Sequence, residues 1–555
     1  MKLYDQKYLK EDLVIGFLGG CGEFGMNMTA YIQDRNLFIV DCGVMFPPAH
    51  LIGTDAIFIN IDSLVAEFGQ ITAYIITHGH EDHIGAIPYL LSKWPAPTIG
   101  TSWTINLLEE KLDRKNEHLK GYLQTVSPGD EFSFGDIRFK WLQVNHSIPM
   151  ACALDIRTRN QRVFHSGDFK IDRSNAFEPE AKFLRPGGGY DLAICDSTNA
   201  NSAGWSGNEI HVAEALYNEF RVAENTILIT TFASNLWRLL SIISATRKSG
   251  RKLFLAGAGL IKTVRIAEKN SLIPEQDLKF ICSLDDLENT PRSKIVICAT
   301  GSQAEHRASL TRIIHGKHPK VSLKTGDTAI FSSRMIPGNE KGILSLISLC
   351  KKSGIETITT DQNPNIHVSG HAHREELRFV LNNLKPRTYI PVHGSFSQLI
   401  GNRKLGELHV DKNLDVENGS FVKIDPKGTV SPFFKKTMPE LIVDSWSNIP
   451  MSRELLRGRH KIGDSGLVVI SGQFSSEASK WICDLDIEFV GTKLPQSADH
   501  GSFYEKTQRF VEKILNSEDI DQKTANKNIE AHLQRSLKKL MVKKPAVIAK
   551  VFRQL

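Results

Sequence analysis

At 555 residues, and with domains of about 100–200 residues each, the chain is long enough for roughly three or four domains. An apolar fraction of 41% and a charged fraction of 23% are ordinary globular usage and exclude disordered and fibrous classes. The net charge of +6, from 68 basic against 62 acidic residues, permits a nucleic-acid or phosphate ligand without requiring one. No window approaches the roughly 18 uninterrupted apolar residues of a membrane-spanning helix, and the opening MKLYDQKYLKEDLVIGFLGG has no apolar leader core. Eight cysteines with no C-x-x-C pair argue against a disulfide framework or a cysteine zinc site. The expectation is a cytoplasmic protein with reduced thiols and no membrane partner.

In chain order, residues 13–45 read as two short apolar strands around the turn Gly19-Gly20-Cys21-Gly22, the second strand delivering Asp41 at its carboxyl end. The run Ile71–Ile76 ends at Thr77 and a histidine cluster; Ile137–Val144 ends at Asn145-His146; Val163-Phe164 leads to Gly167-Asp168; Leu192–Cys195 leads to Asp196. Core packing alone has no reason to end strands in carboxylates and imidazoles. From about residue 206 strands alternate with helices. Strands are predicted at 226–231, 253–256, 294–300, 328–333 and 356–360, and helices at 208–222, 235–248, 302–315 and 339–353. That alternation predicts a parallel sheet with helices on both faces. Residues 365–400 return to the histidine-bearing style, and Asn418-Gly419 reads as a hairpin turn. From about 456, Trp481, Cys483, Leu485, Ile487 and Phe489 alternate as one strand. Ile529, Leu533, Leu537 and Leu540 line one face of a helix whose other faces carry Lys538, Lys539, Lys543 and Lys544, so a small α+β carboxyl-terminal domain is expected. Those lysines read as a solvated face rather than an RNA site.

The segment Thr77-His78-Gly79-His80-Glu81-Asp82-His83 has the form H-x-H-x-D-H, directly after a buried-type strand. Imidazoles and a carboxylate in a loop at a strand end can converge on metal. His146 and Asp168, also at strand ends, supply further ligands, and a carboxylate bridging two cations about 3.5–4 Å apart suits hydrolysis.

The order Asp41, HGHEDH, His146, Asp168 resembles the metallo-β-lactamase superfamily. Asp196-Ser197-Thr198, His371 and His393 match, in order, three motifs of its β-CASP nucleases. GGCGE at 19–23, Asn27-Met28-Thr29, THGHEDHIGAIPYLL at 77–91, GDFKID at 167–172, DSTNA at 196–200, FASN at 232–235, ATGSQ at 299–303, SSRMIPGNE at 332–340, HVSGHAHREE at 367–376 and PVHG at 391–394 sharpen the likeness to the ribonuclease J family over roughly residues 13–400. The resemblance implies an αββα metallo-β-lactamase domain (1–205 and 370–440) interrupted by a β-CASP insertion (206–369) and followed by the terminal domain (456–555). It implies two divalent metals, zinc first and manganese second, one held by His78, His80, His146 and Asp168, the other by Asp82, His83, Asp168 and His393. Asp41 would orient a ligand imidazole. Asp82 and His83 would serve catalysis with Asp196 and His371, the last two as a carboxylate–imidazole pair protonating the leaving 3′ oxygen. His367, Val368, Ser369, Gly370 and His371 would cradle a phosphate, with Ser234 and Asn235 closing the pocket. The implied function is 5′–3′ exonuclease and endonuclease action on single-stranded RNA in maturation and decay, leaving 5′-phosphate products. The chain would assemble as a homodimer or homotetramer, or with a paralogue or RNA-decay partners.

Structural readings compete residue by residue. His367 and His371 would also serve to cap the following helix, and Asn235 to cap its own; the glycines at 19–25 are too loose for a dinucleotide fingerprint. The chain departs from the family pattern at Met150, usually acidic or small, and at Ser395 and Ser397, with Asn402-Arg403 beyond. These changes leave open a catalytically weak RNA-binding scaffold paired with an active paralogue. A DNA-acting β-CASP nuclease is weakened because histidine at the last motif, here His393, goes with RNA in the family. A small-molecule thioester or lactam hydrolase would lack DSTNA and HVSGHA.

Overall fold

Runs of β-branched and aromatic residues bounded by glycine and polar turns favour strands, and here they assemble into three sheets around the histidine loops. The computed structural model describes residues 11–48, 51, 53–112, 116–174, 189–336, 338–447, 449–517 and 520–554. Most of the MKLYDQKYLKED opening and Pro337 of the SSRMIPGNE segment lie outside them. The chain divides into two compact units, Met1–Met45 with Phe58–Glu440, and Phe46–Ile57 with Leu441–Leu555.

In the first unit, one sheet runs Val430–Lys435, Ser420–Ile424, Leu13–Gly19, Met28–Gln33, Asn36–Val40, Ile71–Ile75, Thr98–Thr101 and Leu123–Val126 from edge to edge. A second runs Lys412–Asn413, Thr388–Val392, Leu192–Asp196, Arg162–His165, Cys152–Arg157, Ile137–Gln143 and Glu131–Phe134. Their inner faces share one core, in which Phe17, Tyr31, Phe38 and Ile75 of the first meet Phe139, Trp141, Leu154 and Ile194 of the second. Tyr31 and Phe139 meet edge to face, ring centroids 6.4 Å apart. The third sheet is parallel throughout, in the order Ile281–Cys282, Lys252–Ala256, Ile295–Ala299, Ile227–Thr230, Thr328–Phe331, Glu356–Ile358. Helices Glu209–Val222 and Leu236–Lys248 begin at Asn208 and Asn235, whose side chains accept from backbone N–H groups of the first turn. The second unit packs helices His500–Leu515 and Gln522–Leu540 with the strands Leu467–Ser475, Lys480–Val490 and Ala546–Gln554, through Val468, Ile470, Val511, Ile529, Leu533 and Leu537.

Several local expectations need correction. A third strand, Met28–Gln33, lies between the two read at 13–45 and pairs with both. The helix expected over 302–315 is confined to Ser309–Ile314, because Gly301 and Ala304 have φ of 110° and 61° and the Gln303 side chain is bonded to Arg334 and Ile336. Helix Ala258–Lys269 was not anticipated. Asn418-Gly419 enters Ser420–Ile424 from a different sheet; the hairpin turn is at Asp425–Thr429, where Asp425 Oδ1 accepts from Lys427 and Thr429 N. Lys543 and Lys544 lie beyond the helix that ends at Leu540.

The segments that frame the site meet at Glu376, whose side chain is fully buried. Its carboxylate accepts from Ile171 N (2.9 Å), Ser206 N (2.9 Å), Ser206 Oγ (2.8 Å) and His373 N (2.8 Å). One side chain thus ties the ends of three segments, beside the backbone bonds from Ala372 N to Phe169 O and from Arg374 N to Ser202 O. Replacing Glu376 with Ala strands these donors away from water and is expected to cost about 3 kcal/mol, read as a lower urea midpoint; Glu376→Gln, which keeps one acceptor, should lose less.

Candidate metal centre and nucleic-acid site

The functional side chains sit where strands run out. Asp41 follows Asn36–Val40, Thr77 follows Ile71–Ile75 by two residues, and His393 follows Thr388–Val392. Asp41 and His393 adopt φ of 58° and 56°, a left-handed conformation that costs a non-glycine residue about 1–3 kcal/mol and collects at functional sites. Backbone bonds hold both in place, Asp41 N to Ile75 O at 3.0 Å and Ser197 N to His393 O at 3.1 Å.

Two donor groups share one carboxylate. In the first, ligand atoms of His78, His80, His146 and Asp168 lie within 4.8 Å of one another, and in the second those of Asp82, His83, Asp168 and His393 do. Asp168 Oδ2 is 3.6 Å from His78 Nε2, 3.8 Å from His146 Nε2 and 3.3 Å from His83 Nε2, and Oδ1 is 3.5 Å from His393 Nε2. A third group, Asp168, Asp196, His371 and His393, overlaps both.

The tautomers follow from the hydrogen bonds behind the rings. His146 Nδ1 meets the Gly370 carbonyl at 2.6 Å; a carbonyl only accepts, so Nε2 carries the lone pair. Thr77 Oγ1 donates to Asp41 Oδ2 at 2.7 Å and accepts from His78 Nδ1 at 3.0 Å. Thr198 repeats the arrangement, donating to Asp196 Oδ1 and accepting from His393 Nδ1, both at 2.7 Å. His83 Nδ1 donates directly to Asp41 Oδ2 at 2.7 Å. Each ring is therefore anchored through Nδ1 and turns Nε2 toward the shared carboxylate, the arrangement metal-binding histidines use.

These residues fit a divalent cation. Asp168 Oδ1 is buried without a hydrogen-bond partner, a costly state for a carboxylate oxygen unless something positive meets it. His80 Nδ1 faces His78 Nε2 at 3.2 Å and His146 Nε2 at 3.1 Å, three ring nitrogens converging on one point. Burial holds His78 and His146 well below the usual imidazole range and His80 down to about 4, so these rings keep lone pairs. At His83 burial acts in the same direction, but Asp168, Asp82 and Asp41 overcome it and hold the ring well above its usual value; His393 is raised likewise, chiefly by Asp168 against burial. The carboxylates around the second group call for positive charge.

Beside the metal groups, His371 Nδ1 meets Asp196 Oδ2 at 2.8 Å. Ser369 Oγ accepts from Asn199 Nδ2 at 2.7 Å and from His371 N at 3.2 Å, which fixes the loop 367–371. A side chain at Gly370 would place its Cβ 2.8 Å from Ser147 Oγ and 3.0 Å from His146 Cε1, so this loop can approach the ligands only with glycine there. A small pocket opens among Asn145, Ser147, Lys170, Trp237, Val368 and Ser369. Neither His367 nor His371 caps the following helix; His373 does. Asn235 is a helix N-cap, and among the described residues no hydrogen bond joins the Ser234 or Asn235 side chain to the 367–371 loop.

Residues outside the family pattern are absorbed into structure. Ser395 caps helix Phe396–Gly406, and Gln398 of the same capping box donates to Thr198 O at 2.6 Å. Ser397 O accepts from Asn201 Nδ2 at 3.2 Å. Asn402 Nδ2 donates to Asp196 O at 3.1 Å. Met150, at φ 55°, presents its carbonyl to Thr101 Oγ1 at 3.1 Å and its sulfur to Ser102 Oγ at 3.2 Å. Sequence reasoning missed Thr77, Asn199 and Thr198 as anchors, although the last two stand inside the DSTNA segment. It also missed Arg334, whose Nη1 donates to Asn199 Oδ1 at 2.6 Å across 135 residues of chain.

Comparison with known proteins agrees with this geometry. The ribonuclease J β-CASP domain family matches residues 224–349, the β-lactamase superfamily domain 58–216, the Zn-dependent metallo-hydrolase RNA specificity domain 362–416, and the ribonuclease J C-terminal domain 454–554. Ribonuclease J of Sinorhizobium meliloti is 32% identical over 551 residues, covering 97% of this chain and 96% of that one. Ribonuclease J of Thermus thermophilus is 32% identical over 468 residues, covering 82% and 81%. That of Corynebacterium glutamicum is 31% identical over 471 residues, covering 83% of this chain and 65% of the relative's length. A solved structure of a protein of unknown function from Enterococcus faecalis V583 superposes with a TM-score of 0.53 at 16% identity, over 74% of this chain and 100% of that one, a likeness of fold alone. With a metallo-β-lactamase domain, a β-CASP insertion and a ribonuclease J C-terminal domain on one chain, the protein belongs to the ribonuclease J family of metal-dependent ribonucleases.

Proposed function

We propose that this chain is a two-metal ribonuclease with 5′–3′ exonuclease and endonuclease activity on single-stranded RNA, leaving 5′-phosphate products in RNA maturation and decay. The observation that carries the reading is Asp168, one buried carboxylate shared by two donor groups beside the Asp196–His371 pair. One metal is assigned to His78, His80, His146 and Asp168 and the other to Asp82, His83, Asp168 and His393, zinc first and manganese second by the imidazole and carboxylate donor set. When bound, such ions supply Lewis-acid stabilisation of phosphoryl charge and activate water for in-line attack.

The chain's own residues do the rest. Asp196 accepts from His371 Nδ1, which orients the ring and leaves Nε2 to deliver a proton to the departing 3′ oxygen. The loop 367–371 receives a phosphate, and Lys170 and Trp237 line the adjoining pocket, a cation and an aromatic of the kind that meets single-stranded nucleic acid. Asn235 contributes through its helix start rather than through a direct bond, and Ser234 closes the same side. The partition 1–205, 206–369, 370–440 and 456–555 belongs to this reading. So does self-association, supported by exposed Trp446, Ile449 and Leu455 in the carboxyl-terminal unit. A cytoplasmic site of action is supported by eight free thiols. Among the described residues no helix is long and apolar enough to cross a membrane.

The decisive experiment uses one RNA labelled at its 3′ end and carrying a 5′-monophosphate or 5′-triphosphate. With zinc or manganese, the monophosphate form should fall to mononucleotides, and Asp82→Ala should abolish this. Internal cuts indifferent to the 5′ group would remove the phosphate pocket; binding without cleavage would favour the scaffold reading. Replacing Asp41 with Asn is expected to weaken metal binding about 10–100-fold, measured by competition with a chelator. His371→Ala should lower kcat by about 10²–10⁴ while metal content, by elemental analysis, stays at the wild-type level.

A further inference from the structure

Arg238 is fully buried, and no step above uses it. Its guanidinium forks onto Glu209, Nε to Oε2 at 3.0 Å and Nη2 to Oε1 at 2.8 Å. Nη1 donates to the carbonyl and the hydroxyl of Ser332, both at 2.8 Å, and lies 3.1 Å from His367 Nδ1. Nη2 also donates to Val368 O at 3.4 Å, and Ser332 Oγ passes its own proton to Ile366 O at 2.7 Å. Pairing with Glu209 satisfies a buried cation; it gives no reason for the remaining donors to reach His367 and Val368, or to hold the Ser332 hydroxyl that bonds Ile366, at the entrance of the 367–371 loop.

A guanidinium donates and never accepts. Nη1 divides its two N–H groups among the Ser332 carbonyl, the Ser332 hydroxyl and His367 Nδ1; a bond to Nδ1 takes the lone pair there and leaves the ring's proton on Nε2. Burial, with the Arg238 and Arg334 guanidiniums adding to it against the Ser332 carbonyl, holds this imidazole well below its usual range, so no second proton joins. We propose that Arg238 is a positioning residue that locks His367 as the neutral Nε2–H tautomer, so that the loop meets an anionic phosphate oxygen with an N–H donor instead of a lone pair. The substrate clause rests on reading 367–371 as the phosphate loop; the lock itself does not.

The test reads the two separately. In full-length protein labelled with ¹⁵N-histidine, a long-range ¹H–¹⁵N spectrum reports each ring's tautomer, and His367 is identified by its loss in His367→Gln. The expected wild-type signal is Nε2-protonated with a bare Nδ1, changing to a mixture in Arg238→Lys, which keeps the charge but not the fork. A wild-type ring protonated at Nδ1, or at both nitrogens, overturns the lock. In kinetics on 5′-monophosphate and 5′-hydroxyl RNA of one sequence, Arg238→Lys should raise KM for the monophosphate form about tenfold with little change in kcat. His367→Gln, whose amide nitrogen reaches the Nε2 position, should raise that KM less than His367→Asn does. His367→Asn, whose amide reaches only the Nδ1 position, should behave like Arg238→Lys; equal loss in both His367 variants overturns the proposal. If Arg238→Lys does not fold, the wild-type spectrum and the His367 pair still decide. A wild type with the Nε2–H ring but no preference between 5′ ends discards the phosphate role and upholds the lock.

Discussion

Asp168 places a carboxylate where water does not reach and surrounds it with imidazoles at 3.3–3.9 Å, His83 the nearest and His371 the farthest. An isolated charge in that position would carry a desolvation penalty far above ordinary folding stability. The site is consistent only if positive charge gathers there, and every neighbouring feature works to that end. The anchored rings of His78 and His146 present lone pairs inward, while the surrounding acids raise His83 and His393 against the pull of burial. A buried charge of this kind, ringed by imidazoles, is what a divalent ion would meet with high affinity.

The anchoring is economical in residue types. Threonine serves twice as a relay, at Thr77 between Asp41 and His78 and at Thr198 between Asp196 and His393. A hydroxyl can donate and accept at once, so a carboxylate on one side dictates the tautomer of a histidine on the other. His367 is dictated by the opposite device, a guanidinium that can only donate. At His78, His83, His146 and His393 the side of the ring that carries the proton follows from a carboxylate or carbonyl that can only accept.

Among the described residues, the inserted parallel sheet adds nothing to the metal donor groups. Its contribution is placement. Helix Leu236–Lys248 carries Arg238 to the loop that ends in His371, while Arg334 reaches Asn199, which in turn holds Ser369. Glu376 gathers the backbone donors of Ile171, Ser206 and His373 at the same junction. The candidate metal ligands are thus placed by strand ends and the 367–371 loop by polar clamps, which is why their residues look so different in the sequence.

Much of this was legible in the amino-acid order. The H-x-H-x-D-H spacing, the polar residues ending buried strands and the strand–helix rhythm after residue 206 are local patterns, and local patterns follow from side-chain periodicity. Five of the six strands of the parallel sheet and three of the four predicted helices fall within a residue or two of those expectations; Ile281–Cys282 was not anticipated. The helix over 302–315 failed because the competing bonds of Gln303 come from Arg334 and Ile336, some thirty residues on, and the Asn418-Gly419 hairpin failed because its flanking strands belong to different sheets. By itself, then, the sequence determined the elements, the candidate ligands and the class of chemistry. Only the tertiary structure decided which nitrogen of each histidine faces the shared carboxylate, which residues clamp the 367–371 loop and what Met150, Ser395 and Ser397 bond to. Those outcomes depend on hydrogen bonds between residues far apart in the chain, and no periodicity along one segment records its distant partner.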